Sequence, residues 1–171
     1  MPQLVTTGVV SGWSPDGEWL YGTQLDGAPS LFRFRLADGY RETLLPAGVT
    51  PQLSTDGTRI FYMHRAEPGL FARSLSGDVA TNPEEQLVND YRYPASSGFQ
   101  PLDDGILYVS YAPDDRARAL RFYDFATERG SDIATIPAEA GVVWGIAVSP
   151  DGRELLYTLP TSGVDLIRLE F

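Results

Sequence analysis

The 171-residue sequence contains no cysteine and no lysine. The first absence removes disulfides, thiolate metal sites and a cysteine nucleophile. The second removes Schiff-base chemistry and any serine–lysine dyad, and the 13 basic residues are all arginine, a bias that reads as the imprint of a GC-rich genome. His64 is the only histidine, so a zinc site built from three or four His or Cys ligands is excluded by count. No run approaches the roughly 18 consecutive apolar residues that span a bilayer, and the opening "MPQLVTTGVV" lacks the basic start and apolar stretch of a signal peptide. Membrane insertion is therefore not expected. Positive charge is scarce as well: a net charge of −10 repels phosphate backbones, so nucleic acid is not an expected partner.

What is present is a core. The chain is 43% hydrophobic and 12% aromatic, a composition that suits one folded domain. Four Asp-Gly turns punctuate it: "SPDG" at 14–17, "STDG" at 54–57, "PLDDG" at 101–105 and "SPDG" at 149–152. Their glycines are spaced by 40, 48 and 47 residues. Each turn runs into a strand-like segment: "EWLYGTQ", "TRIFYMH", "ILYVSY" and "RELLYTL". A second landmark follows 14, 13, 15 and 14 residues after the glycine, at Leu31, Leu70, Leu120 and Leu166. Three units add an outer piece, "RETLLP", "EEQLVN" and "SDIATIP", and each turn is preceded by a further short apolar run. Asp-Gly between apolar runs is a strong turn signal, because aspartate bonds its own backbone and glycine accepts a positive φ. Each unit thus reads as four antiparallel strands, and such a sheet repeated every 40 to 50 residues marks a β-propeller blade.

The "SPDG" turn with its following "LYG" or "LLYT" strand, and the "LFRFRL" type of run about 14 residues on, resembles the TolB-type β-propeller repeat, a WD-like repeat of bacterial proteins. The resemblance covers essentially the whole chain and is weakest in the third unit, where two residues are missing after the turn. The closing "VDLIRLEF" is similar to the last strand of propellers fused to regulatory or kinase-like domains. It implies an all-β fold of four blades, at about 7–46, 47–89, 90–137 and 138–171, with 2–6 as closing strand. It also implies a bacterial binding, scaffold or sensor module, with a periplasmic or extracytoplasmic place open to it and no cofactor.

Catalysis finds little support. His64 ends "RIFYMH", where a strand meets a loop, and no G-x-S-x-G elbow supplies a partner serine. The acid pairs Glu84–Glu85, Asp103–Asp104 and Asp114–Asp115 fall at turns or loop starts, and no D-x-D-x-D-G calcium loop exists. Asp16, Asp56, Asp104 and Asp151 recur with the turn and read as turn residues. The expectation is a non-enzymatic module that binds a protein or a small ligand. The alternatives are the propeller cap of a peptidase, or a hydrolase with a carboxylate-lined channel.

Two features bear on partners. The insertion "YRYPASSGF" carries Tyr91, Arg92, Tyr93 and Phe99 to the start of an inner strand, and Trp144 holds the matching place in the fourth unit. Tyr, Trp and Arg dominate recognition hot spots, so these five residues form a candidate partner surface; the alternative is a longer loop that buries its own aromatics. The fourth unit reaches Phe171 after three strands, and "PQLVT" at 2–6 resembles the missing outer one. Four blades form either a small closed ring or a half-ring, and a homodimer completing an eight-bladed ring is the expected solution to the apolar faces a half-ring leaves exposed.

Overall fold

The computed structural model describes residues 8–92, 98–113, 117–136, 145–149, 154–160 and 164–170. These form strands joined by turns and loops, with no helix among the described residues. The first sheet contains β1 (Val9–Trp13), β2 (Trp19–Gln24), β3 (Ser30–Arg35) and β4 (Arg41–Leu45). The second contains β5 (Val49–Leu53), β6 (Arg59–Met63), β7 (Leu70–Ser74) and β8 (Glu85–Val88). The third contains β9 (Phe99–Pro101), β10 (Gly105–Tyr111), β11 (Ala117–Asp124) and β12 (Arg129–Thr135). The fourth contains β13 (Ile146–Val148), β14 (Glu154–Pro160) and β15 (Val164–Glu170). Strand order follows chain order in every sheet, so each is a meander. The proposed closing strand at 2–6 lies outside the described residues.

By compactness the chain divides into two units, residues 1–86 and 87–171. In the first unit, Tyr21, Leu31, Leu44 and Leu45 of the first sheet pack with Ile60, Tyr62, Phe71 and Val79. The period-2 alternation of β2 sends Leu20 elsewhere, into a smaller cluster with Phe32 and Phe34. Burial of each such side chain stabilises by about 1.5–3 kcal/mol, which is why these short strands persist. In the second unit all seven residues of β10 are buried.

The turns owe as much to serine as to Asp-Gly. In the first, the Trp19 amide donates to Ser14 Oγ at 2.9 Å, Ser14 Oγ donates to Asp16 Oδ1, and the Glu18 amide donates to that same oxygen at 2.9 Å. The second repeats this: Arg59 amide to Ser54 Oγ at 2.9 Å, Ser54 Oγ to Asp56 Oδ1 at 2.6 Å, Thr58 amide to Asp56 Oδ1 at 3.0 Å. In the fourth, the Glu154 amide donates to Ser149 Oγ at 2.9 Å. One hydroxyl therefore closes the loop between residues five apart. The third turn has Leu102 at this place and closes more tightly, its amide donating to the Gly105 carbonyl at 2.9 Å. Gly57 takes φ +72°, and a Cβ there would meet Pro15 at 3.0 Å, so the first two turns stack closely.

Candidate functional site

The ionisable side chains of the first three sheets form one motif. In the first sheet, strand register sets Tyr21 opposite Arg33, and Arg33 opposite Glu42. Arg33 pairs with Glu42, and its guanidinium lies 4.3 Å from the centre of the Trp19 ring. In the third sheet, register sets Tyr108 opposite Arg121, and Arg121 opposite Asp132. Arg121 donates to Asp90 Oδ2 at 2.7 Å, and its Nε lies 2.8 Å from Asp132 Oδ1 without the alignment of a hydrogen bond. Tyr21 and Tyr108 are both pushed above the usual phenol range, chiefly by burial.

The second sheet gathers the same side-chain types in a different register, with Tyr62 opposite Phe71 and Arg73 opposite Ile60. Tyr62 donates its hydroxyl to Glu84 Oε2 and accepts from Arg73 Nε at 2.9 Å. Arg73 also reaches Glu84 at 3.4 Å and donates to the carbonyls of Ala80 and Asn82 at 3.0 and 2.7 Å. It thereby holds the connection between β7 and β8. His64 joins this group, with Nε2 3.2 Å from Glu84 Oε2 and its ring 4.6 Å from Phe71 and 5.5 Å from Tyr62. Burial acts to raise the Glu84 carboxyl, but the Tyr62 hydrogen bond, His64 and Arg73 outweigh it and leave the group below its ordinary value. Burial, then the contact with Glu84, pushes Tyr62 well above the usual phenol range.

A tyrosine, an arginine and a carboxylate thus lie together in each of three successive sheets, and in the third, among the described residues, Asp90 Oδ1 and Arg121 Nε are buried without a hydrogen-bond partner. Glu84 is thus more than the turn acid its sequence position indicated. The signal was legible, because an arginine lies within three residues after each landmark leucine and an acid lies in or just before each of the three outer strands: Glu42, Glu84 with Glu85, and Asp132. Of the other acids, Glu85 pairs with Arg59 at 2.6 Å, and Asp103 and Asp104 are exposed at their turn. Asp114, Asp115 and Asp151 lie outside the described residues. Among the described residues no group of three or more His, Asp or Glu could hold a metal ion.

The candidate partner surface is corrected in part. Tyr91 and Phe99 are both 0% exposed, so neither presents its side chain to a partner. Tyr91 packs edge-on against the rings of Phe99, Tyr108 and Tyr111, and its hydroxyl oxygen accepts from the Gly98 amide at 3.1 Å. An aromatic-rich insertion can bury its aromatics when a fully buried strand lies beneath, and β10 is that strand. Arg92 is half-buried. Tyr93 and Trp144 lie outside the described residues.

The exposed apolar residues are elsewhere. On β1, Val9, Val10 and Trp13 are 53%, 42% and 60% exposed. Sequence reading missed them because "VVSGW" has the apolar character of an inner strand. Two open hollows lie in the first unit: one of about 330 Å³ bordered by Arg33, Glu42 and Asp78, the other of about 440 Å³ bordered by Arg59, Arg73 and Glu85. Among the described residues no helix is long and apolar enough to cross a membrane.

The sequence matches no protein-family model and no curated protein. Solved structures do match. TolB from Acinetobacter baumannii is 17% identical with a TM-score of 0.72, over 99% of this chain and 43% of that one. A protein of Agrobacterium tumefaciens described as TolB is 18% identical with a TM-score of 0.69, over 95% of this chain and 57% of that one. Puromycin hydrolase is 17% identical with a TM-score of 0.65, over 94% of this chain and 27% of that one. The chain thus spans about half the length of the TolB structures or less, and its fold is the TolB-like β-propeller, of which it carries four blades.

Proposed function

We propose that this chain is a non-enzymatic propeller module that recognises a protein, with β1 as part of the recognition surface. The observation that carries this reading is the exposure of Trp13, Val9 and Val10 on one strand. Large apolar side chains left outside the core are the feature by which partner surfaces are distinguished, and tryptophan is the residue most enriched at their energetic centre. The recurring Tyr–Arg–acid groups support the non-enzymatic half, since in three blades they bridge neighbouring strands or the loops that join them. The resemblance to TolB supports an extracytoplasmic place.

The first partner to test is a second copy, the two completing an eight-bladed ring. Light scattering at micromolar concentration is expected to give the dimer mass, and Trp13→Arg to give the monomer. A monomer mass for the native chain rejects the second copy as partner. The chain is expected to turn over no peptide, ester or glycoside; activity abolished by Asp103→Asn or Asp114→Asn overturns the non-enzymatic reading. A second reading, an accessory propeller of a peptidase, is favoured by the likeness to puromycin hydrolase, and a hydrolase pattern in the natural gene alongside this segment is its test.

A further inference from the structure

The sequence contains six Asp-Gly steps, at Asp16, Asp26, Asp38, Asp56, Asp104 and Asp151, and the fold treats them unequally. Asp-Gly is the dipeptide at which a chain most readily rearranges. The glycine amide nitrogen loses its proton and attacks Cγ of the aspartate, a C–N bond forms, and the carboxyl hydroxyl leaves as water. The resulting succinimide then takes up one water at either carbonyl, reopening to aspartate or to isoaspartate. One water is lost and one regained, and no oxidant or other reactant is needed. The step requires a carboxyl free to turn toward the following amide, and an amide free to leave its own hydrogen bond.

Three of the five described steps meet neither requirement, and at a fourth, Asp104, the glycine is immobile. At Asp16 and Asp56 the carboxylate is held by a serine hydroxyl and the amide two residues on, and the glycine amides donate to Ser14 and Ser54 carbonyls at 2.9 Å. At Asp38, Arg35 grips both oxygens at 2.9 and 2.7 Å, and the Gly39 amide donates to the Arg35 carbonyl at 3.0 Å. These three carboxyls also lie below the ordinary range, through their side-chain hydrogen bonds first, which depletes the protonated form that gives up its hydroxyl. At Asp104 the obstacle is packing: Gly105 is buried in β10, and the point where a Cβ would sit is 2.2 Å from the Tyr123 carbonyl oxygen, so this peptide cannot rotate.

Asp26 differs in its surroundings. It lies with Gly27 in the exposed loop between β2 and β3, where Gly27 has φ +87° and no atom within 4 Å of its Cβ direction. Its Oδ2 accepts one bond, from the Gln24 side-chain amide at 2.8 Å, and among the described residues no backbone carbonyl accepts the Gly27 amide. We infer that, among the described Asp-Gly steps, Asp26–Gly27 is the site of spontaneous isoaspartate formation, and that the other four are protected by the fold.

The folded chain is incubated in heavy-oxygen water near neutral pH, then cleaved after Glu18 and after arginine so that residues 19–33 separate from Asp16. Mass spectrometry reads heavy oxygen and isoaspartate at each site. Label at Asp26 is expected to exceed that at Asp16, Asp38, Asp56 and Asp104 by roughly tenfold, the factor by which breaking one hydrogen bond first slows a step. In urea the five sites should approach one rate. Asp26→Glu should abolish the signal at 26 and leave the other four unchanged. Folded-state label at any of those four equal to that at Asp26, or label at Asp26 seen only in urea, overturns the inference.

Discussion

Thr23→Val should destabilise this protein more than the deeper-cutting Thr23→Ser. Thr23, on β2, is 3% exposed, and its Oγ1 accepts the Thr50 amide at 2.9 Å in a buried setting. Thr50 is a β-branched residue at φ 55°, a conformation that costs roughly 1–2 kcal/mol, and this hydrogen bond helps to hold it there. Valine keeps the volume of threonine and removes the acceptor, leaving a buried amide unpaired at a cost of about 1–3 kcal/mol. Serine keeps the acceptor and removes one methyl, which costs about 0.8 kcal/mol. At about 2–4 °C per kcal/mol for a chain of this size, Thr23→Val should lower the melting temperature by about 2–12 °C, and Thr23→Ser by about 2–3 °C. Urea unfolding followed by tryptophan fluorescence reads the same order. A valine variant as stable as the wild type, or more stable than the serine variant, would refute the role given to this bond.

Ser54→Ala should cost about 1 kcal/mol, because it removes the acceptor of the Arg59 amide and a donor to Asp56 together; an unchanged urea midpoint would show that Asp-Gly alone makes the turn. Gly105→Ala is expected to lose about 3 kcal/mol or more, or to fail to fold, since its Cβ would meet the Tyr123 carbonyl at 2.2 Å and the Phe122 ring at 2.3 Å; a soluble variant of native stability contradicts that packing. Asp38, held at about 2 chiefly by Arg35, has a folded value below its ordinary 3.8, so its stabilisation is present above pH 3.8 and is lost as pH falls toward 2. Asp38→Asn should therefore differ from wild type at neutral pH and converge with it below about pH 2, and a gap independent of pH would exclude the mechanism.

The repeat was legible because it rests on local physics. Asp-Gly needs only its neighbours to turn, and "WLYG" or "RIFY" needs only period 2 to present one apolar face, so the four meanders and their order follow from residues near in sequence. The arginine and acid of each group are also local, lying in or just before strands that adjoin in the chain, though the residues alone did not show that Glu84 would gather Tyr62, Arg73 and His64. What the sequence by itself determined is therefore the blade: its turns, its strands and its pairing. Tertiary structure decided which apolar residues stay outside. Tyr91 and Phe99, in a loop that read as a partner surface, are buried because they pack with the buried strand β10, whereas Trp13, in a short apolar run before a turn, stands exposed. Burial is a property of what lies opposite a side chain, and that neighbour is set by the packing of whole sheets, which no local pattern encodes.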